Sequence, residues 1–173
     1  EVKEEILANE MMFYDGGGVT FTGGEATLQF EELLEVLQFC KEKGIHTAIE
    51  TNGSHVRLQE LFPYIDQLIM DCKLVDEKKH QRYMGVSVKT VLDNLRKAAG
   101  QHENVHIRVP LVGGVNDSQK DRAEFLKFFD EIKGGNVTFE ILLYHEFGKK
   151  KWKQCGYTYQ MDEKAYVDPE VRE

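Results

Sequence analysis

Three charged side chains stand at the ends of short apolar stretches and a fourth lies on the polar face of another such stretch, where they could bind a charged ligand. They are two carboxylates and two cations, namely Glu50, Asp71, Lys73 and Arg108. Carboxylates bind ammonium groups and basic side chains bind carboxylates, so the set suits a zwitterionic, cationic small molecule. The spacing is equally compatible with an internal salt bridge from Arg108 to Glu50 or Asp71 that involves no ligand.

A glycine pair and a glutamate form a second candidate site. Gly23 and Gly24 follow a β-rich run at 19–22, and glycine lets the backbone turn sharply and approach a ligand closely. Glu25 comes next, where a strand ends and a helix begins. By residue type alone, a plain glycine turn with a solvated glutamate is the commoner arrangement. His145 also follows an apolar stretch, and a histidine in that setting is by itself more often a surface residue than a ligand-binding one.

Five predicted strands position these side chains. Alternating apolar or β-branched residues predict strands at 19–22, 45–51, 68–73, 105–111 and 137–143. Amphipathic spacing predicts helices at 27–43, at 56–62, from Ser87 to Gly100, and from a capping box at Ser118 to the glycines at 134–135. The chain begins within a helix, and we predict no regular structure from residue 149 onward.

Strands that alternate with helices predict βαβ units and a parallel sheet with right-handed crossovers. An open, partial (β/α) TIM-like barrel and a doubly wound sheet both satisfy this α/β pattern. The charged residues favour the barrel, because ligand-binding groups gather at the carboxyl ends of its strands. We therefore expect one domain, residues 1–173, in which Gly24, Glu50, Asp71 and Arg108 converge on the carboxyl-end opening.

The composition narrows the kinds of partner. The chain has 22 basic and 30 acidic residues and a net charge of −8, whereas non-specific binding to nucleic acid or anionic membranes needs excess basic residues. We therefore expect a small molecule or a protein as partner, with no nucleic acid and no membrane. The three cysteines are far apart, which predicts no disulfide framework and no local metal site. A reducing cytoplasm suits them best.

Several segments together resemble one protein family. Their sequences and their order are similar to those of the glycyl-radical-enzyme activating enzymes of the radical S-adenosylmethionine (SAM) superfamily, and most closely to the pyruvate formate-lyase activating type. The matching segments are Gly16–Ala26, Gly44–Gly53, Leu68–Lys73, His80–Ser87, Ile107–Pro110 and Leu142–Lys149 with Lys151 and Trp152.

The resemblance implies a function and a set of site residues. Members of the family cleave SAM at a [4Fe-4S] cluster to a 5′-deoxyadenosyl radical, which abstracts a hydrogen atom from a glycine of a partner enzyme. The implied partner is a glycyl radical enzyme such as pyruvate formate-lyase, or a ribonucleotide reductase, and the implied electron donor is a flavodoxin or ferredoxin. The stretch Gly23-Gly24-Glu25 would receive the methionyl amino group. The other implied SAM-binding residues are Glu50 (usually Asp in the nearest relatives), Asp71, Lys73, Arg108 and His145.

The chain departs from the family in one respect. The family holds its cluster on a CxxxCxxC loop, because thiolates ligate the iron, and Cys40, Cys72 and Cys155 lack that spacing. We interpret the chain as a fragment truncated at its N-terminus, and we expect it to be catalytically inert alone. Two other functions remain open: a cluster-free barrel enzyme that binds an anionic metabolite through Lys73 and Arg108, and a non-catalytic module that docks a partner.

Overall fold

A five-stranded parallel sheet forms the centre of the computed structural model, which describes residues 1–159, 161 and 163–167. The strands are β1 (Gly18–Phe21), β2 (His46–Thr51), β3 (Gln67–Asp71), β4 (Val105–Leu111) and β5 (Val137–Leu143). The helices are α1 (Val2–Ala8), α2 (Phe30–Glu42), α3 (Glu77–Met84), α4 (Lys89–Gln101), α5 (Gln119–Ile132) and α6 (Lys149–Gln154). Stretches of 3-10 helix lie at Glu10–Phe13, Ala26–Gln29, Leu58–Tyr64 and Glu163–Ala165.

The order of the strands in the sheet is their order in the chain, β1-β2-β3-β4-β5. A doubly wound sheet reverses its strand order at a switch point, and this sheet has no such reversal. Every crossover between neighbouring strands therefore returns on the same side, which is the winding of a (β/α) barrel that is left open. The predicted partial barrel with parallel strands is confirmed.

The two faces of the sheet differ in polarity, as the alternating strand sequences predict. The side chains of one face are fully buried, and they include Ile49, Leu68, Met70, Val105 and Ile107. Helices cover that face with the buried side chains Leu33, Leu37, Val91, Leu95, Phe125 and Phe128. The opposite face carries the charged residues of β2, β3 and β4, which remain partly exposed. The core therefore lies between sheet and helices, and the barrel interior stays polar.

One helix end matches the sequence prediction, and two others differ from it by about one residue. The capping box at the start of α5 is present, because the side chains of Ser118 and Asp121 each accept from the backbone N–H of the other residue. The predicted cap of α4 at Ser87 lies one residue too early: the N-cap is Val88, without a side-chain cap, although the Ser87 hydroxyl accepts from Lys89 N–H at 3.2 Å. Gly100 does not end that helix, which continues to Gln101.

The helix α3 was not predicted from the sequence. It reads EKKHQRYM, and of its side chains only His80 is buried, so it lacks the apolar stripe by which an amphipathic helix is detected. An aspartate at the N-cap and a left-handed Gly85 at the C-cap define its ends. The predicted helix at 56–62 is instead the 3-10 stretch Leu58–Tyr64, which contains Pro63.

The prediction that residues beyond 149 lack regular structure is wrong for part of that region. The segment folds into α6 and, further on, the short 3-10 stretch Glu163–Ala165, while residues 160, 162 and 168–173 of the predicted tail lie outside the described residues. Ala165 and Val167 are 3% exposed, and Gly113 N–H donates to the Ala165 carbonyl at 2.8 Å. A side chain at Gly113 would collide with the backbone of residues 164–166. None of the described helices is long and apolar enough to cross a membrane.

Candidate functional site

Four of the predicted site residues form one connected charge cluster at the carboxyl ends of β2 and β3 and the middle of β4. Arg108 donates to Glu50 Oε1 from Nη1 at 3.2 Å and to Asp71 Oδ1 from Nε at 3.3 Å. Asp71 Oδ2 lies 3.4 Å from Lys73 Nζ. Asp71 and Arg108 are register partners on adjacent parallel strands, which brings their side chains to the same face. The internal salt bridge that the spacing allowed is therefore present, and Arg108 makes it to both carboxylates.

The charge cluster is balanced and accessible. Its two carboxylates and two cations sum to zero, and their side chains are 20% to 37% exposed. Partial exposure keeps the ion pairs weak enough to be exchanged, because water screens them and solvates any partner that is released. A ligand with its own ammonium and carboxylate can therefore replace internal pairs with equivalent ones, without leaving a buried charge unpaired.

The glycine stretch lies beside this cluster. Thr22, directly after β1, donates from its hydroxyl to Glu50 Oε2 at 3.0 Å. Gly23 has a φ of +132°, a backbone conformation that L side chains rarely adopt. No heavy atom lies within 4 Å of a Cβ built on Gly23 or Gly24. The backbone of the glycine pair is therefore open to a ligand and sits next to a carboxylate of the cluster.

Glu25 holds the glycine stretch in place. Its carboxylate accepts from Thr27 N–H at 3.2 Å, from the hydroxyls of Thr27 and Thr51 at 2.7 Å each, and from Asn52 N–H at 2.8 Å. Burial raises the pKa of Glu25, but these hydrogen bonds outweigh burial and leave the pKa below its ordinary value. The residue therefore links the loop after β1 to the end of β2, and its oxygens are occupied within the protein.

Asn116 fixes two further loops of the site. It is 2% exposed, and its side chain donates to the carbonyls of Lys73 and Pro110 at 2.8 Å each. Its Oδ1 accepts from Val112 N–H at 2.8 Å. The backbone that carries Lys73 is thereby joined to the carboxyl end of β4. Sequence reasoning did not identify Asn116, because an asparagine after two glycines in Gly113–Asp117 is typical of an exposed turn.

Asn94 has a comparable role on the other side of the site. It is 1% exposed and donates from α4 to the carbonyls of Gly53 and His55 at 2.9 Å and 2.8 Å. The loop after β2 is thereby tied to a helix of the core. Buried amide side chains that are fully hydrogen-bonded make such loops rigid.

The structure places His145 at the same end of the sheet but outside the charge cluster. It is exposed and follows β5. Its ring packs on Phe147 with the ring centroids 4.2 Å apart, and its Nδ1 accepts from Phe147 N–H at 3.3 Å. His145 could contact a ligand only if that ligand extended from the charge cluster toward β5.

The polar interior also extends to β5 through residues that sequence reasoning left unassigned. His106 Nδ1 lies 2.9 Å from the Thr138 hydroxyl, and Nε2 lies 3.0 Å from Glu140 Oε2. Glu140 is the register partner of Arg108, so this group adjoins the charge cluster. His106 lies 32 positions before Thr138 and 34 before Glu140 in the chain, and the pairing of β4 with β5 brings it to them.

Two cavities differ in their relation to the site. A cavity of about 150 Å³ lies beside Asp71 and Lys73, with further walls from α3 and from the loop after β2. A larger cleft of about 730 Å³ opens at the amino ends of β3 and β4. In that cleft His102 is 5% exposed and hydrogen-bonded through both ring nitrogens, so this histidine stabilises the fold and is not free to bind a ligand. The smaller cavity is the better candidate for part of the ligand site, because charged side chains line it and it lies at the carboxyl end of a strand.

The cysteines do not contribute a reactive group to this site. Burial, with a smaller contribution from Asp71, raises the pKa of the Cys72 thiol to about 12. Cys40 is also buried, and Cys155 is exposed on the tail. A buried neutral thiol is a poor nucleophile and a poor metal ligand.

The amino-acid sequence of this chain matches that of a known protein superfamily. The sequence model of the radical SAM superfamily matches residues 1–128, well over half of the chain. This chain belongs to the radical SAM superfamily. The pyruvate formate-lyase 1-activating enzyme of Escherichia coli strain K12 is 36% identical over 165 residues, which cover 93% of this chain and 67% of that protein. Within the superfamily, the chain therefore groups with the activating enzymes of glycyl radical enzymes, as the sequence resemblance implied.

Two further similarities extend this assignment. The 4-hydroxyphenylacetate decarboxylase activating enzyme of Clostridioides difficile strain 630 is 36% identical over 172 residues, or 97% of this chain and 54% of that enzyme. The chain thus spans about half the length of this relative. The crystal structure of a domain of pyruvate-formate lyase-activating enzyme from Bacteroides vulgatus matches with a TM-score of 0.72 at 29% identity, covering 91% of this chain and 89% of that one.

Radical SAM membership implies SAM and a [4Fe-4S] cluster as cofactors, and the two fit this radical SAM chain differently. The charge cluster and the open glycine backbone offer oxygens for an ammonium and cations for a carboxylate, which are the groups that SAM presents. The iron–sulfur cluster has no ligand set here, because no group of three or more His, Cys, Asp or Glu residues among the described residues could hold a metal. Among the described residues, the charged side chains are of the types that would fit the groups of SAM, and no ligand set for the iron–sulfur cluster is present.

Proposed function

We propose that this chain forms the SAM-binding part of an activating enzyme for a glycyl radical enzyme. In such enzymes reductive cleavage of SAM supplies the radical that removes a hydrogen atom from a glycine of the partner protein. The proposal includes a glycyl radical enzyme such as pyruvate formate-lyase as the partner, a flavodoxin or ferredoxin as the electron donor, and the cytoplasm as the location.

The observation that carries the proposal is the balanced charge cluster at the strand ends. In it, contacts of 3.2 to 3.4 Å join Glu50, Arg108, Asp71 and Lys73. An anion-binding enzyme would need its cations free for the substrate, whereas here each cation is matched by a carboxylate. A ligand that is itself a zwitterion and also cationic, as SAM is, suits such a matched set.

The residues would divide the ligand between them by charge. Lys73 would take the carboxylate, because its ammonium is the most exposed group of the charge cluster, at 37%. Asp71 and Glu50 would face the positive groups, and the open backbone of Gly23 and Gly24 would accept from the methionyl ammonium. Arg108 would keep both carboxylates oriented by its contacts to each of them.

The affinity of the isolated chain for SAM should be low. Each charge-assisted hydrogen bond contributes about 1.5–3 kcal/mol before the cost of ordering ligand and side chains is subtracted. A few such bonds that also replace existing internal pairs leave a net of about 4–5 kcal/mol, which corresponds to a Kd on the order of 0.1–1 mM.

Calorimetric titration of the chain with SAM tests the proposal. The variant Asp71→Lys should weaken binding beyond detection, because it places a third cation where the positive end of SAM would lie. The matched control Glu42→Lys makes the same charge change on an exposed position of α2 and should leave the affinity unchanged. Thermal unfolding of both variants establishes that they are folded. Submicromolar SAM binding, or equal binding by the Asp71→Lys chain, would show that the pocket is assigned wrongly.

A further inference from the structure

A segment with an unusual composition follows the ligand site. Residues 147–159, here called the lysine–aromatic segment, contain four lysines and no acidic residue, in a chain whose net charge is −8. The same residues include Phe147, Trp152 and two tyrosines. The segment therefore forms a basic surface on a protein that is otherwise acidic.

Three of the four lysines of this segment have no ion-pair partner among the described residues. Only Lys149 is paired within the described residues, with Glu146 at 2.9 Å. The side chains of Lys150, Lys151 and Lys153 are exposed, and none of them forms an ion pair with another described residue. Exposed cations that have no internal partner attract an acidic surface and accelerate its association.

An apolar cleft lies among these lysines. It has a volume of about 340 Å³ and is lined by Trp152, Tyr157, Cys155, Gly148 and Lys151. Trp152 is 48% exposed, Tyr157 is 66% exposed, and their rings meet edge to face with the centroids 5.7 Å apart. Exposed aromatic side chains bordered by charged ones are typical of protein–protein contact sites.

The segment is attached to the body of the protein, so the surface has a defined shape. The hydroxyls of Tyr144 and Tyr159 lie 2.5 Å apart, and the ring of Tyr144 also contacts Tyr166 with the centroids 5.1 Å apart. Phe147 packs on His145 at the end of β5. An occupant of the segment would therefore lie beside the carboxyl-end opening of the barrel.

We propose that the lysine–aromatic segment docks an acidic segment of a partner protein. Carboxylates of the partner would pair with Lys150, Lys151 and Lys153, and one apolar side chain would enter the cleft beside Trp152. The acidic remainder of the chain repels an extended polyanion, which disfavours nucleic acid and anionic membranes. The apolar cleft lies directly beside the lysines, which favours a peptide-like occupant that carries carboxylates and apolar side chains together. This inference is independent of SAM binding.

Trp152 provides the assay, because it is the only tryptophan of the sequence. The full chain is titrated with a synthetic peptide of Glu-Glu-Glu-Phe repeats while tryptophan emission is recorded. We expect a saturable change in emission that weakens as salt is added. The reversal of Lys150, Lys151 and Lys153 to Glu should weaken binding on the order of tenfold or more, and the milder triple change to Gln should weaken it less.

Matched controls separate docking from general electrostatics. Reversal of Lys78, Lys89 and Arg122 to Glu makes the same charge change at exposed positions and should leave peptide binding nearly intact. A peptide of Glu-Glu-Glu-Gly repeats should bind more weakly, because it lacks the side chain for the cleft. Equal losses in both triple variants, no preference for the Phe peptide, or tighter binding of oligothymidylate or phosphatidylserine vesicles would each overturn the proposal. The titration contains no SAM, so its failure is distinct from a failure of the proposed function.

Discussion

Replacement of Glu25 by Ala tests whether this residue positions the glycine stretch. The carboxylate accepts four hydrogen bonds at 2.7 to 3.2 Å, and two of the donors are backbone N–H groups, those of Thr27 and Asn52. The hydroxyls of Thr27 and Thr51 can turn to other acceptors after the substitution. The two N–H groups cannot, and they carry most of the cost.

The expected loss of stability follows from those two groups. An unsatisfied buried donor costs about 1–3 kcal/mol, and water that enters the partly exposed site recovers some of this. We therefore expect Glu25→Ala to lower the free energy of unfolding by about 3 kcal/mol. For a chain of this size, 1 kcal/mol corresponds to about 2–4 °C in Tm, so Tm should fall by roughly 6–12 °C. Urea and thermal denaturation followed by circular dichroism measure both quantities.

The effect should also depend on pH in a defined direction. The folded pKa of Glu25 lies below its ordinary value, so the charged form contributes stability above the unfolded pKa of about 4.3. That contribution is lost as the pH falls through the folded pKa. The difference between wild type and Glu25→Ala should therefore narrow in acid. Glu42→Ala, an exposed change on α2, is the control. A loss below about 1 kcal/mol at neutral pH, or a difference that widens in acid, would refute the positioning role.

Two further predictions concern the other loops of the site. The substitution Asn116→Ala leaves the Val112 N–H and the Lys73 and Pro110 carbonyls without their partner. Urea denaturation should therefore show a free energy of unfolding lower by about 3 kcal/mol, and calorimetry should show weaker SAM binding. Unchanged stability and unchanged SAM affinity would contradict the loop-fixing role. The substitution Gly113→Ala should detach residues 163–167, because its Cβ would meet their backbone, and hydrogen exchange of those amides should rise, whereas Gly135→Ala, with open space around it, should leave their exchange unchanged.

Much of the fold could be predicted because apolar periodicity determined it. The alternation of apolar and polar residues in β4 specifies which face of the strand is buried, and the stripe of Phe125 and Phe128 does the same for α5. Once both apolar faces are buried against each other, the strand and helix can pack in only one arrangement. The helix α3 could not be predicted, because only His80 among its side chains is buried. The tail could not be predicted either, because it is held by single contacts such as that of Gly113 with Ala165.

The site was predictable in its location and less so in its contacts. The carboxyl ends of parallel strands meet at one edge, so Glu50, Asp71 and Arg108 could be placed together from their positions in the strands. The sequence left open whether Arg108 pairs internally, and the structure shows that it pairs with both carboxylates. The role of Asn116 depends on distances between loops that no local pattern encodes.

The sequential strand order also determines how the molecule can open. Every strand pairs only with strands next to it in the chain, as in a solenoid, so each βα unit is stabilised by its immediate neighbours. Opening should then start at an outer strand and proceed inward, and β5, on which Ile141 is 64% exposed, is one of the two outer strands. The charge cluster is carried by β2, β3 and β4 in the middle of the row. A molecule in which β5 has detached would therefore still hold Glu50, Asp71 and Arg108 in place. The ligand site can persist when the edge of the sheet next to it has opened.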